Sequence, residues 1–361
     1  MKSKAVQRHK VGLREIARVA GVSAATVSRV LNGNMNVDPS LQEAVLGAAS
    51  KLHVDLSQRN KTKALAFLLC NRTMLHNFHA RILGGAEEYC ESLGWDIVFL
   101  AYNYAAHIPW KELHLPRAIQ RHGTVRAVIL AGTNSINLIE LLEHKGVPFA
   151  LLGNNVTNEQ RDGKHDVVCS DDIQGSYEMT RYLISQGHRH ICFVGNTRLP
   201  WFSRCFEGYQ RAMEQGGLAT RHGDIYSEDD TEIGYLSTKS LLAGEKPITA
   251  IFAGNDQTAH GVYKAIRDGG LRIPEDISVV GCNDTIGAWL YPALTTIREF
   301  PEEIGKRLAE VALNRIASPK LDAQRVTIPT ELIKRDSCRS IVSAEDQIHT
   351  STLQKLAALG S

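Results

Sequence analysis

From Ala64 onward the sequence repeats one unit, a short apolar run followed by an amphipathic stretch with helical spacing. The runs are "ALAFLLC", "DIVFLAY", "AVILAG", "PFALLG", "DVVCSD", "HICFVG", "TAIFAG" and "ISVVGC". Helical spacing is expected over 80–93, 135–145, 173–186, 204–216, 258–268 and 302–316. Strand–helix alternation of this kind dictates parallel sheets with helices on both faces. About 270 residues of it exceed one comfortable core, so two α/β lobes are expected. Ligands of such folds sit outside the carboxyl ends of the strands.

The first sixty residues follow a different grammar. "LREIARVA" places Leu13, Ile16, Ala17 and Ala20 at helical spacing. Gly21 breaks that helix and Ser23 can cap the next. Over 24–31, Val27, Val30 and Leu31 fall on one side, and Ala24, Ala25, Ser28 and Arg29 on the other. "DPSLQEAVLGAASKL" begins a third helix, with Ser40 three residues before Glu43 as in a capping box. Residues 1–63 hold eleven Lys/Arg against four Asp/Glu, a net of +7, while the remainder carries thirty against thirty-five, a net of −5. A basic helical head on a mildly acidic body points to a head that meets phosphate.

Other classes are disfavoured. No apolar run is long enough to span a bilayer, and "MKSKAVQRHKVGLREIA" has cations without the apolar core of a secretory signal. The seven cysteines are scattered and never in C-x-x-C spacing, which suits a reducing cytoplasm rather than a disulfide framework or zinc cluster. His76, His79, His107, His114 and His122 crowd the first lobe without metal-ligand spacing and are expected to be surface or pocket polar groups. No H-E-x-x-H, G-x-S-x-G, Walker loop or G-x-G-x-x-G is present, so neither an enzyme nor a cofactor is expected.

"LREIARVAGVSAATVSRVLNG" resembles the head of the LacI (lactose repressor) family, matching its A-G-V-S-x-x-T-V-S-R-V-L-N signature from Ala20 to Asn32. The body is similar too. "VVCSDDIQGSYEMTRYLISQGHRHICFVGN" and "AIFAGNDQTAHGVYKAIRDGGLRIPEDISVVGCNDTIGAWLYPALTT" follow family motifs in the family's order, over about residues 12–338. The resemblance implies a small all-α helix-turn-helix head and a two-lobed α/β body like a periplasmic sugar-binding protein. The implied divisions are a DNA-binding domain at 1–55, an atypical short link at 56–63 and an effector-binding and dimerisation body at 64–338. Within the body, lobe 1 takes about 64–165 and 296–328, and lobe 2 about 166–295. A disordered tail is expected at 339–361. The implied function is a cytoplasmic, sequence-specific transcription regulator. It would be a homodimeric repressor on a pseudo-palindromic operator, controlled by a sugar or sugar derivative between the lobes. Activation, or control by a corepressor protein, is the alternative within the family. A transport-type sugar-binding protein would need a signal peptide and no helix-turn-helix.

The second helix of such a head enters the major groove. The outward set is Ser23, Ala24, Ala25, Thr26, Ser28, Arg29 and Asn32, with hydroxyls and Asn suited to phosphates and Arg29 able to reach a guanine edge. In the family the two residues after "VS" contact bases; here both are alanines. Members continue with a segment whose leucine wedges into the minor groove. Here "LHVDLSQRNKTKALAFLL" lacks that segment's A-R-x-L, so either no wedge is inserted or a short turn centred on Leu56 replaces it. Arg59, Lys61 and Lys63 remain as expected phosphate contacts.

For the effector, Asn255 of "GNDQ" matches a family ligand-binding position, and Asn283 of "GCNDT" stands where the first acid of a D-D pair contacts ligand. The family's arginine three residues before the Gly-aromatic pair falls on Cys205, with Arg204 one residue off. Gly153 of "PFALLGNN" replaces an acid found in many members, leaving Asn154 as the candidate. "HNFH" aligns with N-P-F-F, so Phe78 and His79 are expected at the cleft. Trp201 and Phe202 follow a strand end and can stack on a sugar, or pack as ordinary core or rim.

Overall fold

The computed structural model describes residues 12–31, 37–52, 54, 63–72, 76–121, 124–156, 163–223, 225–227 and 229–341. A head precedes a body that begins at Ala64, and the chain forms two compact units, with Ala118–Val125 grouped with the head and the rest of the chain from Ala64 making the body.

In the head, α1 (Leu13–Ala20) ends at Gly21, whose φ of 69° lets its N–H reach back to the Ala17 carbonyl. The Ser23 hydroxyl accepts from the Thr26 N–H at 3.0 Å and so caps α2 (Ala24–Leu31). The third helix, α3 (Pro39–Lys51), starts otherwise than expected. Asp38 caps it by accepting the Ser40 N–H at 2.8 Å, and Pro39 fills the first turn, so the Ser40–Glu43 capping box does not form. Asp38 is the better acceptor, because its charge also faces the positive end of the helix. Ile16, Ala17, Val27, Val45, Ala48 and Ala49 form the head's core, while Leu13 stands exposed.

The body opens with β1 (Ala64–Cys70), α4 (Asn77–Ser92), β2 (Asp96–Tyr102), a short α5 (Arg117–Gln120), β3 (Ala127–Gly132), α6 (Ile136–His144) and β4 (Phe149–Leu152). β5 (Val167–Ser170) follows, and much later α11 (Pro301–Ala317) and β11 (Arg325–Ile328) return to the same layer. Their sheet is wholly parallel, in the order β11-β5-β4-β3-β1-β2. β1 and β3 are buried along their full length, which explains their unbroken apolar runs, whereas edge strand β2 is half exposed. α4 and α11 cover one face and approach within backbone contact. A Cβ on Gly85 would lie 2.0 Å from the Glu302 carbonyl oxygen, and one on Gly305 1.9 Å from that of Ile82.

Lobe 2 holds α7 (Asp172–Ser185), β6 (Ile191–Val194), α8 (Pro200–Gln215), β7 (His222–Gly223), α9 (Asp230–Leu242), β8 (Ala250–Ala253), α10 (Asp256–Asp268) and β9 (Ser278–Val280). Its parallel sheet runs β7-β6-β8-β9. β10 (Thr296–Arg298) pairs antiparallel with β12 (Glu331–Ile333). The expected lobe boundaries therefore shift. β5, assigned by resemblance to lobe 2, hydrogen-bonds between β4 and β11 in lobe 1. β10 stays with lobe 2 through the Val280–Thr295 bridge, and the chain returns there after Ile328. Three segments thus join the lobes, at 170–172, 298–301 and 328–331. The expected tail also begins later. Arg339 N–H reaches the Ser278 hydroxyl and Ile341 N–H the Gln186 carbonyl; residues beyond 341 lie outside those described.

Helix α9 is absent from the periodic reading of the sequence. Its inward face is Ile233, Gly234, Ser237 and Thr238, mostly small or polar. It packs by proximity instead, since a Cβ on Gly234 would meet the Thr258 carbonyl at 2.0 Å and one on Gly261 that of Thr231 at 1.9 Å. Among the described residues no helix is long and apolar enough to cross a membrane.

Candidate DNA-reading face and cleft cavity

On the head, α2 buries Val27 and turns Ser23, Ala24, Ala25 and Arg29 outward, with Thr26 and Ser28 half-buried beside them. Ser23 and Thr26 share a hydroxyl contact of 2.9 Å, so both hold the helix start. Arg29 is the basic residue of the last turn. Arg14 and Arg18 also stand exposed on α1, two cations that the sequence reading did not single out. Lys63 is exposed; Asn32, Arg59 and Lys61 lie outside the described residues, as does the link around Leu56.

In the body, the carboxyl ends of both sheets face a cavity of about 600 Å³, mouth included. Lobe 1 contributes Arg72 after β1, Phe78 and His79 on α4, and Asn154 after β4. Lobe 2 contributes Asp172, Trp201, Cys205, Asp230, Asn255, Cys282 and Asn283, and Glu299 enters from a crossing segment. This is where an α/β fold of this type is expected to hold a ligand.

The lobes meet at the mouth. The Arg72 guanidinium lies 3.5 Å from Asp230 Oδ2 and 4.9 Å above the Trp201 ring, bridging lobe 1 to two elements of lobe 2. Asp230 Oδ2 also accepts from Asn255 Nδ2 at 2.9 Å. Its other oxygen, Oδ1, is buried without a protein partner. Asn255 spends its own oxygen on the Thr258 N–H at 2.7 Å, capping α10, so it orients Asp230 with what remains.

His79 presents the complementary group. Burial first, then the Arg72 charge, lowers its pKa to about 3 and keeps the ring neutral. The Gly132 N–H points at Nε2 from 3.3 Å and Asn155 Nδ2 lies 2.9 Å from it. An N–H can only donate, so Nε2 accepts and the ring proton sits on Nδ1. That Nδ1 is buried with no protein partner. Both residues line the cavity, and each carries one buried polar atom without a protein partner, Asp230 Oδ1 as acceptor and His79 Nδ1–H as donor.

The floor is a carboxyl network. Asn154 Nδ2 donates to the Ser170 hydroxyl at 3.0 Å, and that hydroxyl donates to Glu299 Oε1 at 2.5 Å. Burial, then the nearby Asp172, raises the Glu299 pKa to about 8, so the carboxyl holds its proton at neutral pH. Asp172 is paired with Arg204 at 2.6 Å.

Several expected ligand residues serve other ends. Phe202 is fully buried beneath the floor, its ring pressed on Gly195 and Gly254, where a Cβ would meet it at 2.4 and 2.3 Å. It is core, because the adjacent Trp201 faces the cavity and helical geometry turns Phe202 inward. Arg204 does not line the cavity; it neutralises Asp172, which does. Asn154 lines the wall, but both its amide atoms are engaged by Ser170. Phe78, His79, Trp201, Asn255 and Asn283 do gather there. The reading missed Arg72, Asp172, Asp230 and Glu299. Arg72 and Asp172 stand two residues past Cys70 and Ser170, the ends of β1 and β5, a position the strand-end rule could have flagged. Among the described residues, no three His, Cys, Asp or Glu side chains gather as a metal-ligand set.

Two family models match this chain: bacterial regulatory proteins of the lacI family over residues 12–53, and a periplasmic binding protein-like domain over 180–338. The HTH-type transcriptional repressor PurR of Vibrio campbellii is 27% identical over 341 residues, 91% of this chain and 99% of its own length. The ribose operon repressor of Haemophilus influenzae is 28% identical over 339 residues, 91% of this chain and 99% of its own. Among solved structures, a complex of the transcriptional regulator CelR with cellobiose matches with a TM-score of 0.67 at 26% identity, covering 90% of this chain and 99% of that one.

Proposed function

The chain belongs to the LacI family of DNA-binding transcription regulators, and from that premise we propose a cytoplasmic homodimeric repressor that releases its operator when a sugar or sugar derivative fills the cleft. The observation that carries the effector reading is a pair of buried atoms without a protein partner, an acceptor on Asp230 and a donor on His79, on residues that line one cavity with Trp201 and Phe78. A hydroxyl both donates and accepts, so a polyol satisfies both, and the aromatic faces cover its C–H surface. The relatives named for ribose and cellobiose support that class. An occupant reaching Asp230 Oδ1 draws on the same carboxylate whose Oδ2 holds Arg72, so filling the cleft and holding the lobes together are coupled through one side chain. That differential is what a switch requires.

Dimerisation is supported by Trp289 and Tyr291, 88% and 86% exposed on one lobe-2 loop. Two large aromatics left that bare mark a contact surface. A two-fold dimer reads a pseudo-palindrome, each α2 in one half-site. Charge over residues 1–63 supplies attraction, and Arg29, one turn after Ala24 and Ala25, supplies the base contact.

A thermal-shift screen against ribose, cellobiose and related sugars tests the reading, with hits retested for release of operator DNA. A sugar that stabilises the wild type should fail on Asp230→Ala. Stabilisation of both proteins alike would place the sugar elsewhere.

A further inference from the structure

Two thiols meet in the cavity floor. Cys205 on α8 and Cys282 just past β9 both line it, both are 2% exposed, and their Sγ atoms lie 3.8 Å apart. Cys70, Cys169 and Cys338 instead contact backbone or hydroxyl oxygens. A disulfide needs an Sγ–Sγ distance of about 2.05 Å. The gap therefore closes by just under about 2 Å, shared between two side chains. Both residues belong to lobe 2, so closure asks for no lobe movement.

We propose that Cys205 and Cys282 form an oxidisable dithiol, which a peroxide entering the cavity converts into an intralobe disulfide. One thiol loses its proton and its sulfur attacks a peroxide oxygen. The O–O bond breaks, the departing hydroxide takes that proton as water, and a sulfenic acid remains. The second sulfur attacks the sulfenic sulfur. The S–S bond forms, the S–O bond breaks, and hydroxide leaves with the second thiol's proton as water. The two sulfurs together give up two electrons and the peroxide takes them.

The surroundings set the rate. Contact with the Cys205 sulfur, then burial, holds the Cys282 thiol well above its usual range, and Asp172 adds negative charge nearby, joined by Glu299 once it ionises. Arg204, paired with Asp172, is the nearby cation. Oxidation is therefore slow at neutral pH and quickens as pH rises. The bond has a lever on the site. Cys282 precedes Asn283 and Asp284, which hold positive φ values of 87° and 49°. Asp284 pairs with Arg298 at 2.8 Å and Arg335 at 2.7 Å, and its carbonyl accepts from Arg81 of lobe 1. Drawing Cys282 toward α8 pulls on that loop. The chemistry stands apart from the effector reading; its meaning as a second input to the regulator rests on it.

The test uses full-length protein, hydrogen peroxide, alkylation of the remaining thiols and peptide mass mapping, with no effector present. The wild type should yield a linked peptide pair carrying Cys205 and Cys282, two hydrogens lighter than the separate peptides and restored by dithiothreitol. In Cys338→Ser, which removes the most exposed of the seven thiols, the titratable count should fall from six to four. The linked pair should form faster at pH 9 than at pH 7. Cys205→Ser and Cys282→Ser should each abolish it. The proposal is overturned if both peptides stay separate and alkylated at a peroxide dose that fully converts wild-type Cys338 to a dimedone-trapped sulfenic acid.

Discussion

Glu299→Gln should flatten the dependence of body stability on pH. The Glu299 carboxyl is buried where three chain segments cross between the lobes, accepts from Ser170, and has its pKa raised from 4.5 to about 8. A carboxyl that holds its proton more tightly in the fold than in the unfolded chain favours the native state below the unfolded value. That advantage is lost as pH rises toward the folded value. Each pH unit in that window costs about 1.4 kcal/mol. Other buried groups act mainly at lower pH. Asp256, raised to about 6, has lost most of its contribution once pH has risen to about 6.5, and His79, lowered to about 3, weakens the fold as its unfolded form takes up a proton, increasingly as pH falls through 6.5. From pH 6.5 to 8 the Glu299 carboxyl should cost roughly 2 kcal/mol, while His76, His79 and His188, all lowered by burial, act in the opposite sense in wild type and variant alike, so the difference between the two proteins isolates Glu299. For a body of this size that difference is about 3–4 °C in Tm. Glutamine keeps an oxygen for Ser170 but carries no proton to lose, so its Tm should not share that fall. The assay is thermal unfolding followed by circular dichroism at half-unit pH steps. Equal slopes for wild type and Glu299→Gln would refute the assignment of a neutral carboxyl to this crossing.

Arg29→Ala should weaken operator binding by roughly 1–3 kcal/mol and relax preference at one base pair, read by competition gel shifts against singly substituted sites. An equal loss on every DNA would make Arg29 a phosphate contact. Ser23→Ala removes the cap on the Thr26 N–H and should cost the head about 1 kcal/mol in urea unfolding, while Ser23→Gly should cost less. Arg204→Met strands the buried Asp172 and should destabilise the body by roughly 3–5 kcal/mol, much of it recovered by adding Asp172→Asn. Failure of the second change to rescue would mean that packing of the Arg204 stem, not charge, matters there.

The pattern of what could be read from the sequence follows from which forces leave a local trace. Buried parallel strands must be apolar on both faces, so β1, β3, β6 and β8 announce themselves as unbroken runs, and the two-lobe division follows from their number. Helix α9 leaves no such trace, because its stability lies in a glycine-mediated approach to α10 that only the fold brings about. Lobe membership of β5 and β10 is likewise a matter of hydrogen-bond partners far away in sequence. The cavity divides the same way. His79, Trp201 and Asn255 sit in recognisable motifs, but the roles within those motifs are relational. Asn255 acts by turning Asp230, and Arg204 by neutralising Asp172.

The same relational logic explains why the family's charged ligand positions can change here without emptying the site of polarity. Where the family places an arginine, this chain has Cys205, and where it places an acid, Asn283. The charges have moved rather than vanished. The cation is Arg72, carried by the other lobe, and the free carboxylate oxygen belongs to Asp230 on the helix without a periodic signature. An arginine fixed in lobe 2 would serve the ligand alone. One delivered from lobe 1 also holds the lobes together, and it draws on the same carboxylate that a ligand hydroxyl would reach through Oδ1. Arg72→Ala should therefore raise affinity for the sugar that binds this cleft while weakening the link between sugar binding and DNA release. Titration calorimetry paired with operator gel shifts separates the two. If affinity falls with the coupling intact, Arg72 is a ligand contact and the latch between the lobes lies elsewhere.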